Sequence, residues 1–286
     1  GGAGAPSGPP AEAGHSARGA GGRGEGRHVR TGGREAGGLG YSRVFAVVPA
    51  LNEAGRVGET VAALLRLGIG RVTVVDDGST DATTPEALRA GARVVRLERT
   101  SGKGAALTAG LRDLGLGPDQ GRGPSPDTPE AILFVDADLG ASAVEAARLV
   151  DALESHGADV AVGVLPRRGG GGGLGITVGI ARVGVLALTG RWMRAPLSGQ
   201  RAVRRDALSR LLPLGEGFQV EVGMNVDAVR SGLRVVEVEV PMTHRATGRD
   251  VAGFAHRGRQ LVHVVAALAR RAVSFPGMNP HGGWGR

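Results

Sequence analysis

The sequence predicts an α/β fold with a mostly parallel central sheet and helices on both faces. Two observations carry that prediction. Short, continuous apolar runs of strand length alternate with segments whose apolar residues recur at helical spacing. Alternation of this kind returns each strand to the sheet through a helix and so makes neighbouring strands parallel. The chain is also large enough, since 286 residues with 41% hydrophobic side chains can bury one sizeable core.

Val44 to Val48 is an apolar run that reads as a buried strand ended by Pro49. Asn52 is placed to cap a helix from Glu53 to Leu67, where Val57, Val61, Leu64 and Leu65 share one face. Val72 to Val75 is the next strand. It enters the turn cluster Asp76-Asp77-Gly78-Ser79-Thr80-Asp81, followed by a helix to about Ala90 and a strand at Arg93 to Leu97. Gly104 to Leu114 is a helix, and residues 115–130, rich in Gly, Pro and Asp, are a loop. Ala131 to Val135 is a strand, with Asp136 and Asp138 at its carboxyl end. Helix Ala143 to Ser155 and strand Asp159 to Val164 follow.

The second half is less regular. Arg167 to Gly175 contains five consecutive glycines and is expected to be a mobile loop. Ile176 to Leu188 reads as a helix, Val203 to Leu212 as a short strand or turn and then a helix, and Val220 to Ser231 as a helix. Val235 to Val240 alternates like a strand, and residues 256–272 read as a basic amphipathic helix.

Composition narrows the function. Residues 1–40 hold fifteen of the 52 glycines and five arginines, too little apolar surface to offset ordering entropy, and are expected to be disordered. No apolar run there has signal-peptide length. The absence of cysteine excludes disulfides, thiolate metal sites and a Cys nucleophile, and fits a cytoplasmic location. The formal charge of +8 suits an anionic partner, but with 3% aromatic residues there is little to stack bases on, which excludes nucleic acid as the expected ligand. Leu174 to Gly190 is short for a bilayer crossing and is interrupted by Arg182, leaving only a peripheral contact at the inner membrane face open. A basic helix over residues 257–271 could lie on such a surface, or present solvated charges over a core stripe of Leu261, Val265 and Leu268.

In parallel sheets ligands bind beyond the carboxyl ends of the strands. Pro49, Asp77, Lys103 and Asp138 all fall at or near such ends, so residues distant in sequence share one rim. Asp136 and Asp138, two apart, can share one hard divalent cation, Mg²⁺ or Mn²⁺, although a solvated turn with capping acids has the same pattern. Asp76 and Asp77 can accept hydrogen bonds from a base or ribose, or cap a strand–turn–helix with Ser79 and Asp81. Lys103, the sole lysine, stands between glycines and suits a phosphate or acidic partner, without the spacing of a P-loop. His244 can complete a metal site and Arg245 can hold a diphosphate. Glu216 and Glu221 can orient hydroxyl groups, or Glu221 can cap its helix.

In order along the chain, the segments Val47-Val-Pro49-Ala-Leu-Asn52-Glu53, Val74-Val-Asp76-Asp77-Gly-Ser-Thr-Asp81, Gly102-Lys103-Gly104 and Phe134-Val-Asp136-Ala-Asp138-Leu resemble the family-2-type glycosyltransferases of the GT-A (nucleotide-diphospho-sugar transferase) fold. The likeness runs from about Arg43 to Leu268. It implies a domain over 41–272, with a nucleotide-binding half at 41–140 and an acceptor-binding half at 141–272, before a loose tail at 273–286. It implies that Pro49, Asn52 and Glu53 frame the nucleotide, that Asp77 reads the base, that Lys103 lies near the nucleotide, that Asp136 meets ribose or metal, and that Asp138 holds the metal. The run Leu197-Ser-Gly-Gln-Arg-Ala-Val-Arg and the run Gly217-Phe-Gln-Val-Glu221 are similar to dolichyl- or polyprenyl-phosphate sugar synthases. The Gly-rich loop after Arg168, and Glu221 followed by His244-Arg245, are similar to glucosyl-3-phosphoglycerate synthases. In the latter the His is a metal ligand, but an acceptor-binding Asn is replaced here by Ala246.

The expectation is therefore a metal-dependent hexosyl transfer from a UDP- or GDP-sugar to polyprenyl phosphate or 3-phosphoglycerate. Asp138 and Arg245 would serve the diphosphate, and Glu221 would act on a hydroxyl acceptor where a base is needed. A catalytically inactive nucleotide-sugar-binding or membrane-docking module is the non-enzyme alternative. A phosphatase-like Asp-x-Asp hydrolase is disfavoured because the pair follows a late strand, and a Rossmann oxidoreductase because no Gly-x-Gly-x-x-Gly follows the first strand.

Overall fold

The computed structural model describes residue 1 and residues 38–117, 128–166, 174–215, 219–244, 262 and 264–272. The chain divides between Ala36 and Gly37, and the first of the two units lies outside the described residues save Gly1, together with the disorder expected there. The glycine loop at 167–173, Arg245, Ala246 and the tail from 273 also lie outside them.

Seven strands form one sheet in the order β3-β2-β1-β4-β6-β5-β7. They are β1 (Val44–Ala50), β2 (Arg71–Asp76), β3 (Arg93–Arg96), β4 (Ala131–Phe134), β5 (Val160–Val164), β6 (Arg201–Arg204) and β7 (Val235–Glu239). All neighbours are parallel except β6, which runs antiparallel to both β4 and β5. The helices are α1 (Val57–Arg66), α2 (Thr83–Arg89), α3 (Lys103–Asp113), α4 (Ala147–Ser155), α5 (Leu174–Thr189), α6 (Arg205–Leu208) and α7 (Gln219–Arg230). Residues 264–272 are also helical.

The period-2 geometry of the strands splits the core into two layers. Val44, Ala46 and Val48 of β1, with Ala131 and Leu133 of β4, pack with α1 and α4 on one face. Phe45 and Val47, with Ile132 and Phe134, pack with α3, α5 and α7 on the other. Both faces are covered, which is why these strands are continuous apolar runs instead of alternating ones.

Three expectations need correction. β1 runs through Pro49, which pairs in register with Val75. Ala50 C=O accepts from Asp77 N–H on the β2 side, while Val47 C=O accepts from Val135 N–H on the β4 side. Pro49 alternates with Ala50 and so turns its missing donor toward β4, whose ladder ends at Phe134. Asn52 does not cap α1, which begins at Val57 with Arg56 before it. Asn52 sits instead at φ 55°, and its Oδ1 accepts the Thr80 N–H at 2.9 Å. The segment before α4 is a 3-10 stretch, Ala137–Ala146, bent at Gly140 with φ 54°. The strand or turn read from Val203 is a strand, β6, which begins two residues earlier at Arg201, belongs fully to the sheet and leads into α6.

Candidate active site

The carboxyl ends of β1, β2, β4 and β5 form one rim, and the candidate residues converge there. The turn cluster after β2 and the first turn of α2 grip the β1–α1 loop through four consecutive backbone amides. Asn52 N–H donates to Ser79 Oγ at 2.9 Å, Glu53 N–H to Thr83 Oγ1 at 2.8 Å, Ala54 N–H to Asp81 Oδ2 at 3.1 Å, and Gly55 N–H to Glu86 Oε2 at 2.6 Å. These donors precede α1 and have no intrahelical acceptor, so the side chains across the loop satisfy them. Ser79 and Asp81 thus anchor the β1–α1 loop, where helix capping was the alternative reading; the caps of α1 and α2 are Arg56 and Ala82, and neither makes a side-chain cap hydrogen bond. Asp76 is fully buried and accepts from Ser79 N–H at 2.7 Å and from the Thr84 hydroxyl. Burial pushes its carboxyl up, but these hydrogen bonds and the nearby Arg96 outweigh that and hold it below the usual range.

Asp77 is also buried. Its two oxygens accept Ser101 N–H at 2.7 Å and Gly102 N–H at 2.8 Å. It thus fixes the loop that leads into α3, whose first residue is Lys103. The Lys103 ammonium lies 2.6 Å from Asp136 Oδ1 and 2.8 Å from Glu221 Oε1. Burial alone would lower its pKa, but the two carboxylates raise it well above the usual lysine value. Asp136 is likewise pushed up by burial, then held below its ordinary value by Lys103, His244 and Gln200.

The Asp136–Gly140 segment is held mostly by its backbone. Arg56 donates to the Asp138 carbonyl at 3.0 Å, the Thr60 hydroxyl donates to the Ala137 carbonyl at 2.8 Å, and Gly140 N–H donates to Thr60 Oγ1 at 2.8 Å. Ser142 joins this segment to the chain after β7, because its Oγ donates to the Leu139 carbonyl at 2.7 Å and accepts the Thr243 N–H at 3.1 Å. That contact brings His244 to the site, with Nδ1 at 2.9 Å from Asp138 Oδ1. Burial lowers the His244 pKa, and the Asp138 hydrogen bond and the charges of Asp136 and Asp138 more than reverse this.

Asp136, Asp138 and His244 each offer a ligand atom, and these atoms lie within 4.8 Å of one another. Two carboxylates and one imidazole form an oxygen-rich set suited to Mg²⁺ or Mn²⁺. Charge supports the fit. Asp136, Asp138 and Glu221 face two fixed cations, Lys103 and the fully buried Arg201, so the carboxylates are in excess around the ligand group once His244 is neutral, as a metal ligand must be. Arg201 itself is pushed down to about 10 by burial, offset in part by Glu221 and Asp136.

The structure thus brings together Lys103, Asp136, Asp138, Glu221 and His244. Pro49, Asn52, Glu53 and Asp77 border the same rim through β1, β2 and their loops. Arg245 and Glu216 lie outside the described residues. Sequence reasoning assigned no role to Gly199, Gln200, Arg201 or Arg56. At Gly199 a Cβ would stand 2.8 and 2.9 Å from the Asp136 oxygens and would also strike the Lys103 ammonium. The only sequence signal for these positions is the Ser-Gly-Gln-Arg run itself.

A seven-stranded, mostly parallel sheet bearing an Asp-x-Asp pair and a distant His at its carboxyl rim defines the class of GT-A, nucleotide-diphospho-sugar transferase folds. The chain belongs to glycosyl transferase family 2, whose family model matches residues 45–211. It is 31% identical to the glucosyl-3-phosphoglycerate synthase of Mycolicibacterium smegmatis, over 82% of this chain and 80% of that protein. It is 27% identical to the glycosyltransferase AglJ of Haloferax volcanii, over 72% of this chain but only 65% of AglJ. Among solved structures, glucosyl-3-phosphoglycerate synthase from Mycobacterium tuberculosis in complex with Mn²⁺, UDP-glucose and phosphoglyceric acid superposes with a TM-score of 0.65 and 26% identity, covering 82% of this chain and 81% of that one. The same enzyme has been solved with Mg²⁺ and UDP.

Proposed function

We propose that this protein transfers a hexose from a UDP-sugar to a small phosphorylated acid of the 3-phosphoglycerate kind. The observation that carries the proposal is the Asp136–Asp138–His244 group beside the Lys103–Asp136–Glu221 network. The relatives supply the substrate class, since the solved enzyme binds Mn²⁺, UDP-glucose and phosphoglyceric acid together. We assign residues 41–140 to the donor nucleotide and 141–272 to the acceptor, in the cytoplasm.

Asp138 and His244, with Asp136 alongside, would hold Mg²⁺ or Mn²⁺. A cation there supplies electrostatic stabilisation to a departing nucleoside diphosphate. Pro49, Asn52, Glu53 and Asp77 border the nucleotide side, with Asp77 acting chiefly by fixing the loop that presents Lys103. Lys103 holds Asp136 in place and adds positive charge near the diphosphate, and Arg245 is assigned to the diphosphate as well. Glu221 is tied to Lys103, so we assign it to positioning that lysine and to accepting hydrogen bonds from sugar hydroxyls, in place of the proton abstraction expected for a hydroxyl acceptor. A phosphate acceptor is already anionic near neutral pH and requires no strong base.

One observation favours a second acceptor class, polyprenyl phosphate at a membrane surface. Ile176, Ile180, Val183, Leu188, Val265 and Leu268 line an apolar groove of about 670 Å³ between α5 and the helix at 264–272, and α5 follows the carboxyl end of β5. None of the described helices is long and apolar enough to cross a membrane.

The test crosses UDP-, GDP- and dTDP-sugars with 3-phosphoglycerate and polyprenyl phosphate, in Mn²⁺ or Mg²⁺, and reads nucleoside diphosphate release. Acceptor-dependent release from UDP-glucose with 3-phosphoglycerate is the expected result. Release with no pair would overturn the assignment and leave a binding module.

A further inference from the structure

We infer that Gln200 is a positioning residue for the donor site, fixing the Asp136 carboxylate in the orientation that meets Lys103 and the donor. The inference rests on the donor assignment above and adds a residue that neither the ligand group nor the charge network contains. Gln200 is fully buried. Its Nε2 donates to Asp136 Oδ2 at 2.6 Å, and its Oε1 accepts the Asp136 backbone N–H at 3.0 Å. One amide therefore clamps the side chain and the backbone of the same aspartate, which only a side chain that is donor and acceptor at once can do.

With Lys103 on Oδ1 and Gln200 on Oδ2, both carboxylate oxygens are fixed, and the plane of the group is set.

The fold delivers this clamp through β6, antiparallel to both of its neighbours. Phe134 pairs with Arg201, so the same register continued past the strand end carries Gly199 and Gln200 alongside Val135 and Asp136. Gly199 makes that approach possible, because no Cβ fits between it and the Lys103–Asp136 pair. Arg201 then locks the approach from behind. Its guanidinium donates to the Ser198 carbonyl at 2.5 Å and to Asn225 Oδ1 at 3.4 Å, and Asn225 in turn donates to the Pro196 carbonyl at 2.8 Å. Gln200 C=O accepts Gly163 N–H at 2.8 Å, tying the segment to β5 as well.

A double-mutant cycle tests the inference. Q200L keeps the bulk and removes both hydrogen bonds. Q200E keeps the acceptor for the Asp136 N–H and replaces the donor with a second carboxylate. Both are compared with wild type, D136A and Q200L/D136A by Mn²⁺ titration alone, by UDP titration in saturating Mn²⁺, and by thermal melting. We expect UDP affinity to fall about tenfold or more in Q200L and in Q200E, Mn²⁺ affinity to fall about threefold, and Q200L to cost clearly less once Asp136 is alanine, where only the bond to the backbone N–H of residue 136 remains to be lost. UDP and Mn²⁺ affinities within about twofold of wild type in folded Q200L and Q200E would overturn the inference, as would fully additive losses in the double variant. Where Q200L does not fold, Q200E carries the same decision. Failure of the wild-type protein to bind UDP would strike at the donor assignment instead, and the clamp would then be decided by the same cycle read in Mn²⁺ affinity.

Discussion

The ammonium of Lys103 stands 2.8 Å from the carboxylate of Glu221, joining the first turn of α3 to the first turn of α7 across the far layer of the core. Glu221 is nearly inaccessible to solvent, and its charge there is offset by Lys103, in direct contact, and by the neighbouring Arg201. Removing the lysine takes from two poorly hydrated carboxylates, Glu221 and Asp136, the one cation described in direct contact with both. K103M should therefore cost about 3 kcal/mol, the lower end for breaking a buried pair, since the Lys103 side chain keeps some exposure. Adding E221Q should recover part of that stability in urea unfolding while glycosyl transfer stays lost. Equal recovery of both would show that Lys103 serves the fold alone.

Gly199 separates stability from activity. The atoms a Cβ would strike are the ends of the Lys103 and Asp136 side chains, so the clash falls on the charged pair and not on the backbone. G199A should melt within a few degrees of wild type and still lose roughly a hundredfold in kcat/KM for the donor, the scale set by about 1 Å of misplacement at a reacting site. A loss of melting temperature with catalysis intact would contradict this reading of the contact.

The contrast between Gly199 and Asp138 shows what the sequence can and cannot reveal. Asp138 was legible because buried parallel strands are continuous apolar runs, and the acid that follows such a run lies at the ligand-binding rim. β6 was not legible. Two of its four residues are arginines, and a fully buried Arg201 is compatible with a sheet only through partners on α7 and in the preceding loop. Those partners are tertiary, so periodicity gives no sign of them. Gly199 and Gln200 depend on the direction of β6 and were hidden with it. Asp77 was expected at the rim, but its hydrogen bonds to the amides of Ser101 and Gly102 appear only once β2 and α3 stand side by side. Asn52 looked like a cap because its type favours one. A left-handed backbone and the Thr80 amide took it instead.

Asp76 gives a pH prediction whose sign follows from its depressed pKa. The unfolded carboxyl titrates near its ordinary value of 3.8, and the folded one below it. Between those values the unfolded state binds more protons, so the stability contributed by ionised Asp76 is complete above 3.8 and lost as pH falls through the folded value. D76N keeps an acceptor for Ser79 N–H and removes the titration. Its melting temperature should fall less steeply than that of wild type between pH 5 and 3. Parallel curves would mean that Asp76 adds nothing to acid stability.

The metal group yields the sharpest separation of roles. Arg56 and Thr60 grip the Asp138 segment through backbone atoms, and the Asp138 carboxylate takes no part in those bonds. D138A should therefore retain its fold, with a melting temperature close to that of the wild-type protein in the absence of metal. Wild type should gain melting temperature as Mn²⁺ is added, because a ligand that binds only the folded state stabilises it by mass action. D138A should gain none, and its transfer rate should drop by about 3 kcal/mol of transition-state stabilisation or more, at least a hundredfold. H244A keeps both carboxylates, and so should still shift with Mn²⁺, at higher concentration, and retain measurable turnover. A D138A protein that binds Mn²⁺ like wild type and turns over would place the cation elsewhere, and a wild-type protein indifferent to Mn²⁺ and Mg²⁺ would remove the metal from the reaction.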